Sequence, residues 1–459
     1  MIELSVSEVG DASGAELHAK YPAQRITGFS TDTRTIKPHE YFVAIKGNNF
    51  NGHDFIQKAI EKGAGGVIAE KHPGRDLIGR VDQLILVDDT TRALGDIAGY
   101  IRQKKRIPVI SITGTNGKTT LKEMLYQVLS SRFKPLKSAG SYNNIIGLSL
   151  TMFELEDIHD IAVLEIGTNH PGEILALADI ASPDMAVITN IGMGHLEFFK
   201  NKEGVFKEKI SLVEKLKDGG TAFLNGDDEY LARFRTSKKI EVKYFGSSPS
   251  SDFRISGISR RDNGHAFCVN EDEFFIPLEG AHNVYNAAAA VSIASHLGMD
   301  HASIRKGLEN IVLPKMRLEK TVRGGITFIN DSYNANPDSF ESALVVLKEL
   351  AVKGKKIVIA GDMLELGEGS DQLHRKVGAS IAKKGVDLLI TVGKRAKFIA
   401  SGAIEFGMDK NMVFSTDEKK EAARAVRDRA SSSDVVLLKA SRGVKLEEIL
   451  ECFTTCCSR

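Results

Sequence analysis

The heptad Gly114-Thr115-Asn116-Gly117-Lys118-Thr119-Thr120 follows the β-branched run Ile110-Ser111-Ile112-Thr113, and a helical pattern continues from Thr119 to Ser131. Strand, glycine turn and helix in that order make an anion cradle: glycines let backbone amides converge, and the helix N-terminus adds its dipole. Lys118 would reach the terminal phosphates of a nucleotide, and the Thr119 hydroxyl would bind Mg²⁺. The usual phosphate-loop formula wants Gly two residues before Gly114, where Ile112 stands. This is a shortened loop, G-x-x-G-K-T, and ATP is its expected ligand.

Other groups with chemistry in them sit where strands end. Glu165 closes the apolar run Ile161-Ala162-Val163-Leu164. A carboxylate there costs on the order of several kcal/mol unless a cation or hydrogen bonds compensate, and a Mg²⁺ ligand is the simplest resolution. His195 follows the strand from Met185 through Gly192 and Gly194, so it is either a second metal ligand or a structural histidine. Lys207 and Lys209 stand among apolar neighbours on a helix from Val205 to Leu216, where plain surface lysines remain an alternative. Asn143 and Asn144, ahead of a helix, suit substrate hydrogen bonds or an ordinary loop. His282, Asn283 and Asn286 open an Ala-rich helix to His296, as adenine or ribose contacts or as caps. The polar loop from Asn330 to Asp338, between strand and helix, puts Asp331, Asn334 and Asn336 at a sheet's carboxyl edge. Towards the N-terminus, Ser30-Thr31-Asp32-Thr33-Arg34 and the stretch from Asn48 to Asp54 carry two readings. They grip a uridine nucleotide with Phe50 against the base, or they are turns, with Asp54 capping a helix to Lys62.

These residues need strands alternating with helices to hold them, and the whole chain alternates: strands at Tyr41 to Ile45, Val67 to Ala69, Leu84 to Val87, then the central runs, then Ile326 to Ile329, Lys356 to Ala360, Leu388 to Val392 and Val435 to Lys439. The class is α/β. With 459 residues, about three domains are expected: 1–106, 107–313 and 314–459. The first boundary is read as a solvated charged hinge, Arg102 to Pro108, and the second as Leu313-Pro314. The run Glu418 to Arg429 reads as a solvated helix. A net charge of +1 gives no footprint for nucleic acid or an anionic membrane. Four cysteines, with Cys452, Cys456 and Cys457 at the C-terminus, fit free thiols in a reducing cytoplasm. Neither a signal peptide nor a membrane-spanning stretch is expected.

Taken together, these stretches resemble the Mur ligases of bacterial cell-wall synthesis, and within them the branch that adds D-alanyl-D-alanine. Three of them carry that branch: Glu165-Ile-Gly-Thr-Asn-His-Pro-Gly-Glu173, Asn330-Asp-Ser-Tyr-Asn-Ala-Asn-Pro337 and Gly361-Asp-Met-Leu-Glu-Leu-Gly367. The resemblance implies a smaller N-terminal α/β domain holding the UDP part of a UDP-N-acetylmuramoyl-tripeptide through Ser30, Thr31, Asp32, Arg34, Gly52 and His53. It implies a central parallel-sheet P-loop domain for ATP and Mg²⁺, and a Rossmann-like C-terminal domain for the dipeptide. By the same likeness Lys118, Lys209, His195 and Arg317 would be catalytic. Thr119, Glu165, His195 and a carbamylated Lys209 would hold metal. Gly114 to Thr120, Asn283, Asn286, Arg317 and Asp331 would bind nucleotide, and Asn143, Asn144, Asn334, Asn336, Ser441 and Arg442 the other substrates. A cytoplasmic monomer is expected. Departures from the family pattern are Ile145, Phe198-Phe199-Lys200, and Ala440 in place of a glycine. Rival readings are a ligase adding glutamate or a diamino acid, and a nucleotide-binding regulator that makes no amide.

Overall fold

Strands Val109–Thr113, Ile161–Glu165 and Met185–Ile188 are buried along their whole length. Apolar residues on both faces of a strand require cover on both sides, which a parallel sheet between helix layers supplies. Alternate residues serve the two faces. Ile110, Ile112, Val163 and Val187 pack towards helices Lys118–Leu129 and His282–His296. Val109, Ala162, Leu164 and Ile188 pack towards Thr90–Lys104, Ile145–Phe153, Glu173–Ala181 and Lys202–Glu214. The fully buried Ala287 to Ala290 lets the Ala-rich helix lie close to the helix that follows the glycine loop.

The structure, a computed structural model, describes residues 4–47, 49–261 and 263–455. Met1 to Glu3, on which the signal-peptide reading falls, and Asn48, Cys456, Cys457 and the side chain of Cys452, named above, lie outside the described residues, and Cys268 is a free thiol. The central sheet has nine strands, parallel from Pro135–Lys137 across to Phe253–Arg261 and finished by the antiparallel Gly264–Val269 and Asp272–Ile276. A six-stranded sheet runs from the antiparallel edge Glu319–Arg323 through Ile326–Asn330, Val435–Lys439, Lys356–Gly361 and Leu388–Val392 to Val413–Thr416. A five-stranded sheet, with Glu16–Ala19 antiparallel and the rest parallel, lies within the first 87 residues. The fold is three-domain α/β.

Register decides what the central sheet presents. Glu165 pairs with Ile112 and Ile188 with Thr113, so three neighbouring strands stop at the same level. Their loops, 114–117, 166–172 and 189–195, therefore leave the carboxyl edge side by side, where ligands of open α/β sheets bind.

Two expectations need correction. Arg102 belongs to no solvated hinge: it is 3% exposed, inside helix Thr90–Lys104. Its guanidinium donates to the Ala181, Ser182 and Lys105 carbonyls and pairs with Asp184 at 2.9 Å, which clamps the N-terminal helix to the central unit. The helix expected from Asp54 opens instead as a 3-10 turn, Gly52–Phe55, capped by Asn51, before Ile56–Glu61. Ala440 fits without strain, because its methyl fills room that Gly361 leaves: a Cβ on Gly361 would lie 2.6 Å from it.

Candidate active site

The glycine loop has the backbone that the spacing demands. Gly114 and Gly117 adopt φ of 149° and 86°, and a side chain at either would strike Thr189 Oγ1 or Asn286 Oδ1. Asn190 Oδ1 receives the Asn116 amide at 3.0 Å, and the Thr189 hydroxyl donates to the Asn116 carbonyl. Lys118 folds over the loop and donates to the Gly114 and Thr115 carbonyls at 2.8 and 3.2 Å. Burial holds its ammonium below the ordinary lysine range, with Glu165 opposing and Arg317 adding to the effect.

Lys118, Thr119, Glu165, His195, Asn143, Asn144, Asn283, Asn286, Arg317, Asp331, Asn334, Ser441 and Arg442 all line one cleft of about 1250 Å³. That exceeds the roughly 300–1,000 Å³ of an ordinary small-ligand pocket, so a nucleotide and a second substrate can share it. Glu165 is 1% exposed. Its Oε1 accepts from Asn143 Nδ2 at 2.9 Å, while its buried Oε2 has no hydrogen-bond partner among the described residues and lies 3.9 Å from Lys122 Nζ. An orphaned, desolvated carboxylate oxygen facing the phosphate loop fits a bound cation. No cluster of three or more His, Cys, Asp or Glu stands ready for a metal among the described residues. A cation here would draw also on hydroxyl, phosphate and lysine-derived ligands. Lys209 is 2% exposed, and burial holds its amine well below the usual range, helped by Lys118 and opposed by Glu208. Lys207, by contrast, is exposed and pairs with Glu203.

The C-terminal unit reaches across the cleft. Arg317 Nη2 donates to Thr119 Oγ1, and the guanidinium lies over the Tyr333 ring. Asp331 pairs with the buried Lys439. Asn336 caps helix Pro337–Glu349 and donates to Asn116 Oδ1 at 2.9 Å, so the expected dipeptide contact is here engaged with the glycine loop. Asn144 likewise serves as the cap of Ile145–Phe153. Ser441 receives the Leu364 amide and donates to the Ala335 carbonyl. Asn283 donates to the Glu279 carbonyl and accepts from Asn286.

Ser30, Thr31, Asp32, Arg34, Gly52 and His53 do not line this cleft. Arg34 makes a forked contact with Asp32, whose carboxyl it lowers to about 2. Both His53 ring nitrogens are taken, by Asn51 Oδ1 and the Glu70 amide, and Gly52 packs against Ile45, which is the turn-and-cap reading. Phe50 is 74% exposed.

Several residues in or beside the cleft were not anticipated as parts of the site. Asp338 receives the Met193 amide at 2.6 Å, Asp228 receives the Ile191 amide, and Glu365 meets His195 Nδ1 at 2.6 Å. Glu208 receives the Gly172 and Ile174 amides at the start of Glu173–Ala181, where a carboxylate suits the helix dipole. Asp338 and Asp228 sit beside turn signals, but nothing local says that they reach loops 145 and 37 residues away.

Three family descriptions match successive parts of the chain: the Mur ligase family catalytic domain at 25–102, the Mur ligase middle domain at 112–294, and the Mur ligase glutamate ligase domain at 316–442. The UDP-N-acetylmuramoyl-tripeptide–D-alanyl-D-alanine ligase of Bacillus subtilis is 37% identical over 98% of both chains, and that of Escherichia coli 32% over 98% of both. Among solved structures, MurF from Acinetobacter baumannii superposes with a TM-score of 0.89 at 29% identity, covering 99% of each chain. The MurF ligase of Thermotoga maritima in complex with ADP gives 0.81 at 28%, covering 94% of this chain and 97% of its own. Sequence likeness along nearly the full length, joined to a glycine loop, a buried carboxylate and a C-terminal arginine gathered in one cleft, makes the chain a member of the Mur ligase family.

Proposed function

We propose that the chain is an ATP-dependent ligase that joins D-alanyl-D-alanine to UDP-N-acetylmuramoyl-tripeptide in peptidoglycan precursor synthesis, acting as a cytoplasmic monomer. The three ranges 1–106, 107–313 and 314–459 divide the work as uridine nucleotide, ATP and dipeptide domains. The observation that carries this reading is the single cleft shared by Lys118, Glu165 and Arg317, set beside relatives of that name matching end to end.

The γ-phosphate of ATP passes to the terminal carboxylate of the tripeptide, giving an acyl phosphate and ADP. The amine of the dipeptide then attacks the acyl carbon, and the tetrahedral adduct collapses to amide and phosphate. Two anions must meet, so the demand is electrostatic. Lys118 swings from the Gly114 and Thr115 carbonyls to the terminal phosphates, and the loop amides hold the rest. Arg317, which bonds the Thr119 hydroxyl from the other side of the cleft, shifts from that oxygen to the phosphate, and the docked C-terminal unit keeps water from the acyl phosphate. Thr119, Glu165, His195 and a carbamylated Lys209 would hold Mg²⁺, which neutralises phosphate charge when bound. Lys209 suits that modification, because burial favours the neutral amine, the form that adds CO₂. Asn283 and Asn286 face the adenine, and Arg317 and Asp331 reach the nucleotide from the C-terminal unit. Ser30, Thr31, Asp32 and Arg34 meet the uridine diphosphate once the Asp32–Arg34 fork opens.

Phosphate release should be followed with D-alanyl-D-alanine, L-lysine, meso-diaminopimelate and L-glutamate as acceptors, with mass spectrometry of the product. The reading expects amide only with the dipeptide. Amide with a single amino acid would assign another branch of the family, and phosphate release that ignores every acceptor would leave a non-ligating ATPase.

A further inference from the structure

His195 and Glu365 come from different sheets and stand 170 residues apart, yet each is held in the left-handed region, at φ of 53° and 61°. A non-glycine residue pays about 1–2 kcal/mol for that backbone, and two such residues facing each other require a contact that keeps them there. The contact is double. Glu365 Oε2 lies 2.6 Å from His195 Nδ1, and the Glu365 carbonyl receives the Glu197 amide at 3.1 Å. Gly367 makes the approach possible, since a Cβ there would sit 3.1 Å from Glu197 Cα. The Glu365 loop is fixed from behind, where the Met363 amide donates to His374 Nε2 and the Leu364 amide to Ser441 Oγ.

We propose that Glu365 is a positioning residue for His195: it aims the imidazole into the cleft only when the C-terminal unit is docked. A carboxylate that accepts from Nδ1–H fixes the tautomer and leaves the Nε2 lone pair for a cation. The motif Gly361 to Gly367 thereby acquires a task that its sequence alone did not show. Docking of the acceptor domain and completion of the cation site become one event, which would keep ATP from being spent before the acceptor half is in place.

This rests on the reading of His195 as a metal ligand, and the test separates the two. Glu365→Ala, Glu365→Gln, His195→Ala and the double variant should be titrated calorimetrically with ADP, with and without Mg²⁺, alongside ligation rates over a Mg²⁺ series. Glu365→Ala should shrink the Mg²⁺-dependent gain in ADP affinity about tenfold and leave Mg²⁺-free affinity unchanged. Glu365→Gln, which still accepts from Nδ1–H, should recover most of the gain, and Glu365→Ala should add less than about twofold on top of His195→Ala. Should Glu365→Ala fail to fold, Glu365→Asp, one methylene short, takes its place. An effective His195→Ala beside a silent Glu365→Ala overturns the proposal and spares the metal reading. A silent His195→Ala overturns both, and a Glu365→Ala effect that persists undiminished without His195 overturns the proposal alone.

Discussion

Arg317 Nη2 donates to Thr119 Oγ1 at 2.7 Å, so an arginine of the C-terminal unit holds the hydroxyl that the glycine loop would offer to Mg²⁺. Its guanidinium lies 4.2 Å from the Tyr333 ring centroid, and its buried Nε has no hydrogen-bond partner among the described residues. The nucleotide with its cation has to displace this arginine from the hydroxyl, and the same side chain is then free to meet the phosphate. Arg317→Ala should slow ligation by about 10²-fold, as loss of a donor at developing charge does. Affinity for ADP with Mg²⁺ should move less than about threefold, because the variant also loses the competitor for Thr119. Calorimetry beside steady-state rates checks this; an equal fall in both would make Arg317 a plain ground-state binding residue.

Glu165→Gln separates function from stability. The amide keeps the shape and the Asn143 contact but removes the charge. Ligation should fall by at least about 10²-fold. The melting temperature should move by no more than a few degrees, since relief of the desolvated carboxylate is offset by the loss of a counter-charge to the buried Lys122, which keeps Glu123. A large drop in melting temperature would mean that Glu165 is there chiefly as the counter-charge of Lys122.

Lys209 gives a pH signature. Burial holds its folded pKa well below the ordinary lysine value of 10.5, so between the two the unfolded chain binds the extra proton and wild-type stability rises with pH. Lys209→Met lacks that titration. In CO₂-free buffer the variant should be the more stable protein at neutral pH, with the gap closing as pH approaches 10.5, while its ligation is lost. Urea unfolding at several pH values measures the gap, and a gap independent of pH would remove the neutral-amine argument for carbamylation.

Arg102→Met strips the partners from the Ala181 and Ser182 carbonyls and from one side of Asp184. Asp184 is 37% exposed and keeps Lys217, so the loss comes mainly from the carbonyls left without a donor and is about 1–3 kcal/mol. Because Arg102 is remote from the cleft, kcat of the folded fraction at 25 °C should stay within about twofold. Unfolding midpoints and kcat together decide it; intact stability would mean that the Arg102 clamp contributes nothing to holding the N-terminal helix.

The legible parts of this chain were the ones whose signal is local. The glycine loop announces itself by spacing within seven residues, and Glu165 by being the one charge in an apolar strand. Arg102 was misread because a run of basic residues before Pro108 has the composition of a linker, and nothing nearby tells that the Ala181 and Ser182 carbonyls come to meet it. Asn144 and Asn336 turned out to be caps, and Asn51 rather than Asp54 the cap of its turn, because an asparagine that binds a ligand and one that binds its own helix look alike in sequence. Glu365 stood in a recognised motif without a task until the sheets were placed, since its partner lies 170 residues upstream.

The central claim is that the carboxyl group of the tripeptide is activated by phosphorylation within this one cleft. Tripeptide labelled with ¹⁸O in its terminal carboxylate should be ligated to D-alanyl-D-alanine, and the released phosphate examined by mass spectrometry. The account predicts one ¹⁸O atom in phosphate for every amide formed. Amide product accompanied by unlabelled phosphate would contradict it.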